Sequence, residues 1–242
     1  MGKIKYDKIY EDLKEKIESE VYKNQQKLPS ENNLVKEYKC SRNTLRRAVA
    51  QLASSGYVQS LHGKGVYVIY EQHKKPDFML GDIESFKEAG IRNSSENKTK
   101  VVCFSELTAD ENISRKTGIP EGTDIYYIQR VRFMDSQALI IDHNYYRKDI
   151  VKDLTLEIAE DSIYEYIENE LNEKVITTKR IITVEKAGKD DFRYLNLQEY
   201  NCVAVISNYT YNADGIMFEY TQSRHRPDYF MFFGQAQRIK KS

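Results

Sequence analysis

The sequence predicts an α+β protein of two domains, a helical head followed by a body built on an antiparallel sheet. Three observations carry this. Over residues 28–68 two short helical patterns, a glycine stop and two strand-like runs follow in the order helix, turn, helix, wing. Beyond residue 80, β-branched and aromatic runs alternate with shorter helical ones, and tight turns between some of them require antiparallel pairing. Charge divides at the same place. Residues 1–75 hold 15 Lys+Arg against 9 Asp+Glu, which leaves 22 against 28 in the remainder of a chain whose 37 basic and 37 acidic residues cancel. A zero net charge by itself argues against a nucleic-acid binder, but a basic first third on an acidic body fits a DNA-binding head.

The elements follow in order. Tyr6, Ile9, Tyr10, Leu13, Ile17 and Val21 recur at helical spacing, so residues 6–22 read as one amphipathic helix. Ser30 is the N-cap of a second helix whose apolar stripe is Leu34, Val35 and Tyr38, and Ser41 is the N-cap of a third over residues 42–55. On that third helix Leu45, Ala48, Val49 and Leu52 share one face, while Asn43, Arg46 and Arg47 look away and Arg42 flanks the first turn. Gly56 stops it by accepting a left-handed backbone. Residues 57–58 and 66–69 are strand-like around His62, Gly63, Lys64 and Gly65. Residues 71–80 form a charged linker containing Pro76. In the body, 83–89 reads as a short helix and 90–98 as a polar loop. Strands are expected at 100–107, 125–134, 139–147, 175–185, 203–211, 216–224 and 229–233, and helices at 110–117, 162–171 and 190–197. Turns are signalled at Asp135-Ser136 and at Ala213-Asp214-Gly215.

Several classes are excluded. Cys40, Cys103 and Cys202 lie far apart without a CxxC, and the four histidines show no ligand spacing, so neither a disulfide framework, structural zinc nor another cofactor is expected. No apolar run approaches a membrane span and the N-terminus lacks a signal-peptide core, so a cytoplasmic protein is expected. No catalytic triad spacing or paired carboxylates stand out, which argues against an enzyme.

Chemistry concentrates in two places. Long polar side chains at the start of a helix suit the major groove, where Arg addresses guanine and Asn adenine. Ser41 and Thr44 suit phosphate contacts, and the glycines beside His62 and Lys64 let backbone approach a phosphate or the minor groove. In the body, Arg130 and Arg132 emerge on one face of a strand, as an anion clamp or as members of surface ion pairs. Ser85 and Ser162 each precede a helix, whose free N–H groups favour an anion. Glu219, Thr221, Ser223 and His225 share one polar strand face, fit either for sugar hydroxyls or for solvent.

The run LPSENNLVKEYKCSRNTLRRAVAQLASSGYVQSLHGKGVYV resembles the winged helix-turn-helix of GntR-family bacterial repressors, with its Leu-Pro-Ser-Glu, Ser-Arg-x-Thr-x-Arg and Gly-x-Gly pattern. The resemblance implies DNA contacts at Ser41, Arg42, Asn43, Thr44, Arg46, His62 and Gly63, which Arg47 and Lys64 extend. Asn32 stands where the family commonly has Arg, a contact that Lys36 or Arg47 would have to remake. Ser-Phe-Lys-Glu at 85–88, Arg-x-Arg at 130–132, Ser-Ile-Tyr-Glu-Tyr-Ile at 162–167 and the run from Phe218 to Arg226 resemble the UTRA effector domain of the HutC branch, of chorismate-lyase-like fold. That implies a sugar phosphate as effector. Ser85, Phe86, Arg130, Arg132 and Ser162 would hold its phosphate, and Asp142, Glu219 and His225 would face the sugar. Amino-sugar sensors of the branch more often have Glu and Tyr where Asp142 and His225 stand. The resemblance carried by the runs SIYEYIE and YTQSRHR implies instead trehalose 6-phosphate, with glucosamine 6-phosphate the alternative. The expected organisation is a DNA-binding domain over 1–70, a linker over 71–80 and an effector-binding and dimerisation domain over 81–242. A homodimer on double-stranded operator DNA is the expected assembly.

Overall fold

The computed structural model describes residues 6–71, 78–79 and 83–233. Most of the expected linker, and the end of the chain after residue 233, lie outside the described residues. Two compact units emerge, whose described parts centre on residues 6–71 and 83–231.

In the first unit, α1 (Tyr6–Glu18), α2 (Glu31–Glu37) and α3 (Arg42–Ser54) precede a two-stranded wing of β1 (Val58–Leu61) and β2 (Gly65–Val68). The apolar stripes meet as expected: Ile9, Leu13 and Ile17 of α1 pack with Leu34 of α2 and with Leu45, Ala48 and Leu52 of α3, closed by Val58 and Val68. Ser30 and Ser41 cap their helices by accepting hydrogen bonds from the N–H groups of Asn33 and Thr44. The first helix ends four residues before the sequence pattern does. Ser19 Oγ donates to the Glu15 carbonyl at 2.6 Å, Glu20 turns left-handed, and Val21 stands 60% exposed. Its apolar character continues the periodicity without any core left for it to meet.

The second unit is one antiparallel sheet in the order β4-β5-β6-β9-β8-β7, made of β4 (Asn97–Thr108), β5 (Asp124–Met134), β6 (Gln137–Arg147), β9 (Met217–His225), β8 (Cys202–Tyr211) and β7 (Thr177–Lys186). One face carries a core of Tyr126, Ile128, Tyr146 and Phe218 with Ile163 and Ile167 of α7 (Ile163–Asn169) and Ala159 of α6 (Leu156–Glu160). On the other face Ile141, Val203 and Val205 pack with Leu195 and Leu197, which follow α8 (Lys189–Tyr194). Ala109, Ile119, Tyr145 and Tyr220 pack together around α5 (Glu111–Thr117).

Three local expectations are corrected. The helix expected at 83–89 is α4 (Phe86–Asn93), started by a capping box in which Ser85 Oγ accepts from the Glu88 N–H and Glu88 accepts from the Ser85 N–H. Gly90, expected to open a loop, lies inside that helix because the Asn97 amide packs where a side chain would stand. The strand expected at 229–233 opens instead as a 3-10 turn over Pro227–Tyr229, and only Phe232–Phe233 (β10) pairs, with β3 (Phe78–Met79). The helix α6 was not anticipated; its five residues are too few to show a period.

Candidate DNA interface and effector site

The side chains at the start of α3 are organised by α2. Arg46 Nε donates to Glu31 Oε2 at 3.1 Å, Arg42 Nε stands 3.9 Å from Glu31 Oε1, and an Arg42 terminal nitrogen donates to Asn32 Oδ1 at 3.1 Å. Both arginine side chains remain 65% exposed. Asn32 thus serves as an acceptor for Arg42, a role no arginine could fill. Thr44 and Ser41 hydroxyls lie 2.8 Å apart, and Asn43 is exposed beside them. Arg47, one position round the helix, lies over the Tyr6 ring at 4.1 Å. In the wing His62, Gly63 and Lys64 are all exposed, with Gly63 at φ 72° in open space. At Gly65, φ is 111° and the Lys27 side chain crosses where a Cβ would stand. Glu31 and Lys27 are the residues that sequence reasoning passed over. The Leu-Pro-Ser-Glu run pointed at Glu31, whereas nothing local marks Lys27.

Arg130 and Arg132 are buried, so their strand face is not a solvent face, although Arg132 does form a cross-strand ion pair. Arg132 Nε donates to Asp142 Oδ2 at 2.7 Å and a terminal nitrogen donates to Thr99 Oγ1 at 2.7 Å. Phe86 of α4 lies under the guanidinium at 5.0 Å. Asp142 also accepts from Ser223 Oγ at 2.6 Å. Burial, reinforced by the neighbouring Arg130 charge, lowers the Arg132 pKa to about 10. Burial works to raise Asp142, but the Arg132 and Arg130 charges outweigh it and hold the carboxyl below its usual range, so the pair is ionised at neutral pH.

Arg130 differs. Its Nε donates to the neutral Asn144 Oδ1 at 2.8 Å, and among the described residues no carboxylate stands within ion-pair distance of it. Asn144 passes the chain on to Thr221 Oγ1 at 2.7 Å, and Thr221 donates to Glu219 Oε1 at 2.6 Å. Glu219 is buried among hydroxyls, accepting also from Tyr146 at 3.0 Å and from Tyr164 at 2.7 Å. The polar strand face read from Phe218 onward therefore points inward, with Glu219, Thr221 and His225 all buried. Burial pushes the His225 imidazole down to about 4.

Ser85 and Ser162 line one cavity of about 270 Å³ with Lys87, Tyr164 and Glu165. Lys87 bridges Glu165 at 2.7 Å and Asp161 at 3.0 Å across it. The structure so gathers the eight body residues into two connected groups. One is the cavity under the two caps; the other is the buried network on the sheet. Phe86, against Arg132, and Tyr164, against Glu219, join them. Tyr164, Asn144, Tyr146 and Thr99 were missed in the sequence, since an uncharged polar residue on a strand or a helix carries no mark of the buried partner it will meet.

A family model for bacterial regulatory proteins of the gntR family matches residues 5–68, and one for the UTRA domain matches residues 93–231. The chain belongs to the GntR family. The HTH-type transcriptional regulator TreR of Bacillus subtilis (strain 168) is 36% identical over 98% of both chains, and the HTH-type transcriptional regulator GmuR of the same organism is 26% identical over 94% of this chain and 96% of its own. Among solved structures, the B. subtilis trehalose repressor effector-binding domain is 36% identical with a TM-score of 0.54, covering 59% of this chain and 99% of that one. The regulator YydK of B. subtilis superposes with a TM-score of 0.81 over 97% of this chain and 100% of that one, and at 24% identity it bears on fold alone. This GntR-family protein is a transcriptional repressor in type and not an enzyme. No helix among the described residues is long and apolar enough to cross a membrane.

Proposed function

We propose that this GntR-family protein represses a sugar-utilisation operon as a homodimer and leaves its operator when trehalose 6-phosphate binds the body. One observation supports this most. Arg130 is a buried guanidinium with no carboxylate partner among the described residues, next to Arg132, whose carboxylate partner is shared with Ser223. A buried positive charge in that state favours an anion, and guanidinium forks match phosphate oxygens. Ser85, Phe86 and Ser162 complete the phosphate end in this reading, while Asp142, Glu219 and His225 meet hydroxyls of a neutral disaccharide. The Asp142 charge is already balanced by Arg132, which leaves little for the ammonium of an amino sugar, while its oxygens keep lone pairs for a hydroxyl. The likeness to the trehalose repressor's effector domain points the same way. In the head, Ser41, Arg42, Asn43, Thr44, Arg46 and Arg47 read the major groove and its phosphates, and His62, Gly63 and Lys64 carry the wing to the backbone.

The test begins with an operator selected from a random duplex pool with the full chain. Anisotropy then measures its affinity with trehalose 6-phosphate, glucosamine 6-phosphate or no sugar. Linkage requires the sugar to weaken DNA binding by the factor by which DNA weakens sugar binding. At 100 times its dissociation constant the true effector also adds about 2.7 kcal/mol of stability. Unchanged operator affinity in saturating trehalose 6-phosphate would overturn the assignment.

A further inference from the structure

A short third strand lies beside the wing. The Gln25 N–H donates to the Val68 carbonyl, the Val68 N–H to the Gln26 carbonyl and the Leu28 N–H to the Val66 carbonyl, so residues 25–28 run along β2. Lys27 stands opposite Tyr67 in this antiparallel ladder. Leu28 is buried in the core of the head, so Lys27, one residue away, points to the outer face. Its stem then lies along β2. Cε crosses the place where a Cβ on Gly65 would stand and Nζ lies 3.1 Å from that place, two residues beyond Tyr67 in the direction of the wing tip. Nζ is also 6.0 Å from the centre of the Tyr67 ring. The backbone pairing and the aromatic face together aim the ammonium at the exposed tip of His62, Gly63 and Lys64.

That ammonium has no internal counter-charge. Among the described residues no carboxylate stands within ion-pair distance of Lys27 or of Lys64. The next acid along the chain, Glu31, is taken by Arg42 and Arg46. Glu31 also opens α2, and four residues of chain, at most about 14 Å, separate it from Lys27. Lys27 thus joins the wing to the end of the head where Arg42 and Arg46 are held.

We infer that Lys27 is a further DNA contact of the head, meeting a backbone phosphate beside the wing. The inference deepens the DNA interface in the proposed function and rests on that reading. The chemistry favours phosphate over a base edge. An ammonium is a compact, strongly hydrated point charge without the planar fork that reads guanine, so it fixes the position of the duplex and adds affinity without sequence preference. The competing role is packing alone, with the stem merely covering Tyr67 and the backbone of Gly65. The two roles differ in the charge. Lys27→Met keeps most of the stem and removes the ammonium.

Each cation that meets a phosphate of double-stranded DNA contributes about 0.9 to the slope of log affinity against log salt. Anisotropy from about 50 to about 200 mM potassium chloride measures that slope for the full chain, on its selected operator and on a random duplex of equal length. For Lys27→Met the slope should be shallower by about 0.9 for each bound head, a factor of about 3.5 in affinity over that range, and equally so on both duplexes. Lys27→Arg should keep the parent slope. So should Lys152→Met, which removes the charge of an exposed lysine in the body. The urea midpoint of Lys27→Met should match the parent; if it falls, Lys27→Gln repeats the slope measurement with a second neutral side chain. A parent slope retained in the neutral variants overturns the contact. A loss confined to the operator also overturns it, by making Lys27 a reader of sequence. A parent that binds operator and random duplex alike overturns the sequence-specific repressor of the proposed function, while the Lys27 slope is still read on the random duplex. A parent that binds neither overturns both.

Discussion

Protonating His225 is the perturbation whose cost the body sets most directly. The ring lies on β9, 4% exposed, with Phe230 edge-on at 5.3 Å. Burial lowers its pKa from 6.5 to about 4, against a smaller opposing pull from Asp142. Between those two values the unfolded chain holds the proton and the native chain does not. Stability is therefore complete above pH 6.5 and falls as pH drops toward about 4. The gap between 6.5 and about 4, at 1.36 kcal/mol per pH unit, comes to about 3 kcal/mol. Urea denaturation at pH 7.5 and pH 4.5, followed by circular dichroism, measures it for the parent and for His225→Gln. His143, also lowered by burial, titrates in both chains and cancels in the comparison. The variant should lose about 2–3 kcal/mol less than the parent between the two pH values. Equal losses would mean that His225 is solvated in solution, and its burial on β9 would be wrong.

Three further outcomes follow from the same geometry. Asp142→Asn removes the partner of a guanidinium whose side chain is 7% exposed, and should cost about 3–5 kcal/mol in thermal denaturation, partly restored by millimolar inorganic phosphate. An unaffected midpoint would show that the pair contributes no net stability. Arg46→Ala should cost roughly 1–3 kcal/mol of operator affinity and relax selection at one base position; a uniform loss over all duplexes would assign Arg46 to phosphate instead. Gly65→Ala, at φ 111°, puts a Cβ on a backbone that L side chains rarely adopt and should destabilise the head by about 1–3 kcal/mol, while the Lys27 end can swing aside. Gly63→Ala, at φ 72° in open space, should cost less in the same urea titration, about 1 kcal/mol. Equal costs at the two glycines would mean that the backbone at residue 65 is no more strained than at residue 63.

The head was legible where its devices are local, and not at Lys27, which meets Gly65 from far along the chain. The caps at Ser30 and Ser41, the stripe of Leu45, Ala48 and Leu52, and the turn at Gly63 each sit within one turn of the residues they organise. The body was legible as strands but not as a network, and the β5–β6 hairpin shows why. Its turn at Asp135-Ser136 sets Met134 opposite Gln137 and Phe133 opposite Ala138. Continued regularly, that register would place Asp142 opposite Gln129 and on the face away from the arginines. A bulge between Arg132 and Phe133 slips the pairing by one, so Asp142 stands opposite Arg130 and reaches Arg132 diagonally. A one-residue slip turns every later side chain to the other face. Nothing in the local sequence announces it. Tyr164 was hidden for a similar reason: its partner Glu219 lies 55 residues away, and only the packing of α7 on the sheet brings them together.

The two sets of arginines also differ in what it takes to redirect them. Arg42 and Arg46 share Glu31 in exposed pairs. Pairs of that kind contribute about 0–1 kcal/mol, so they can be surrendered to DNA for base contacts of about 1–3 kcal/mol each. Glu31 keeps the two guanidiniums extended over the helix start without holding them against the groove. Arg132 and Asp142 form a buried pair that costs several kcal/mol to break, with the arginine wedged between Thr99 and Phe86. A ligand gains little by tearing that pair apart and more by meeting Arg130, whose charge has no acidic partner among the described residues. Under the proposed function, the effector's anion is therefore better placed as a third member joining Arg130 and Arg132 than as a competitor displacing Asp142. On that geometry the carboxylate fixes the fork in advance, so that binding energy is not spent on ordering it.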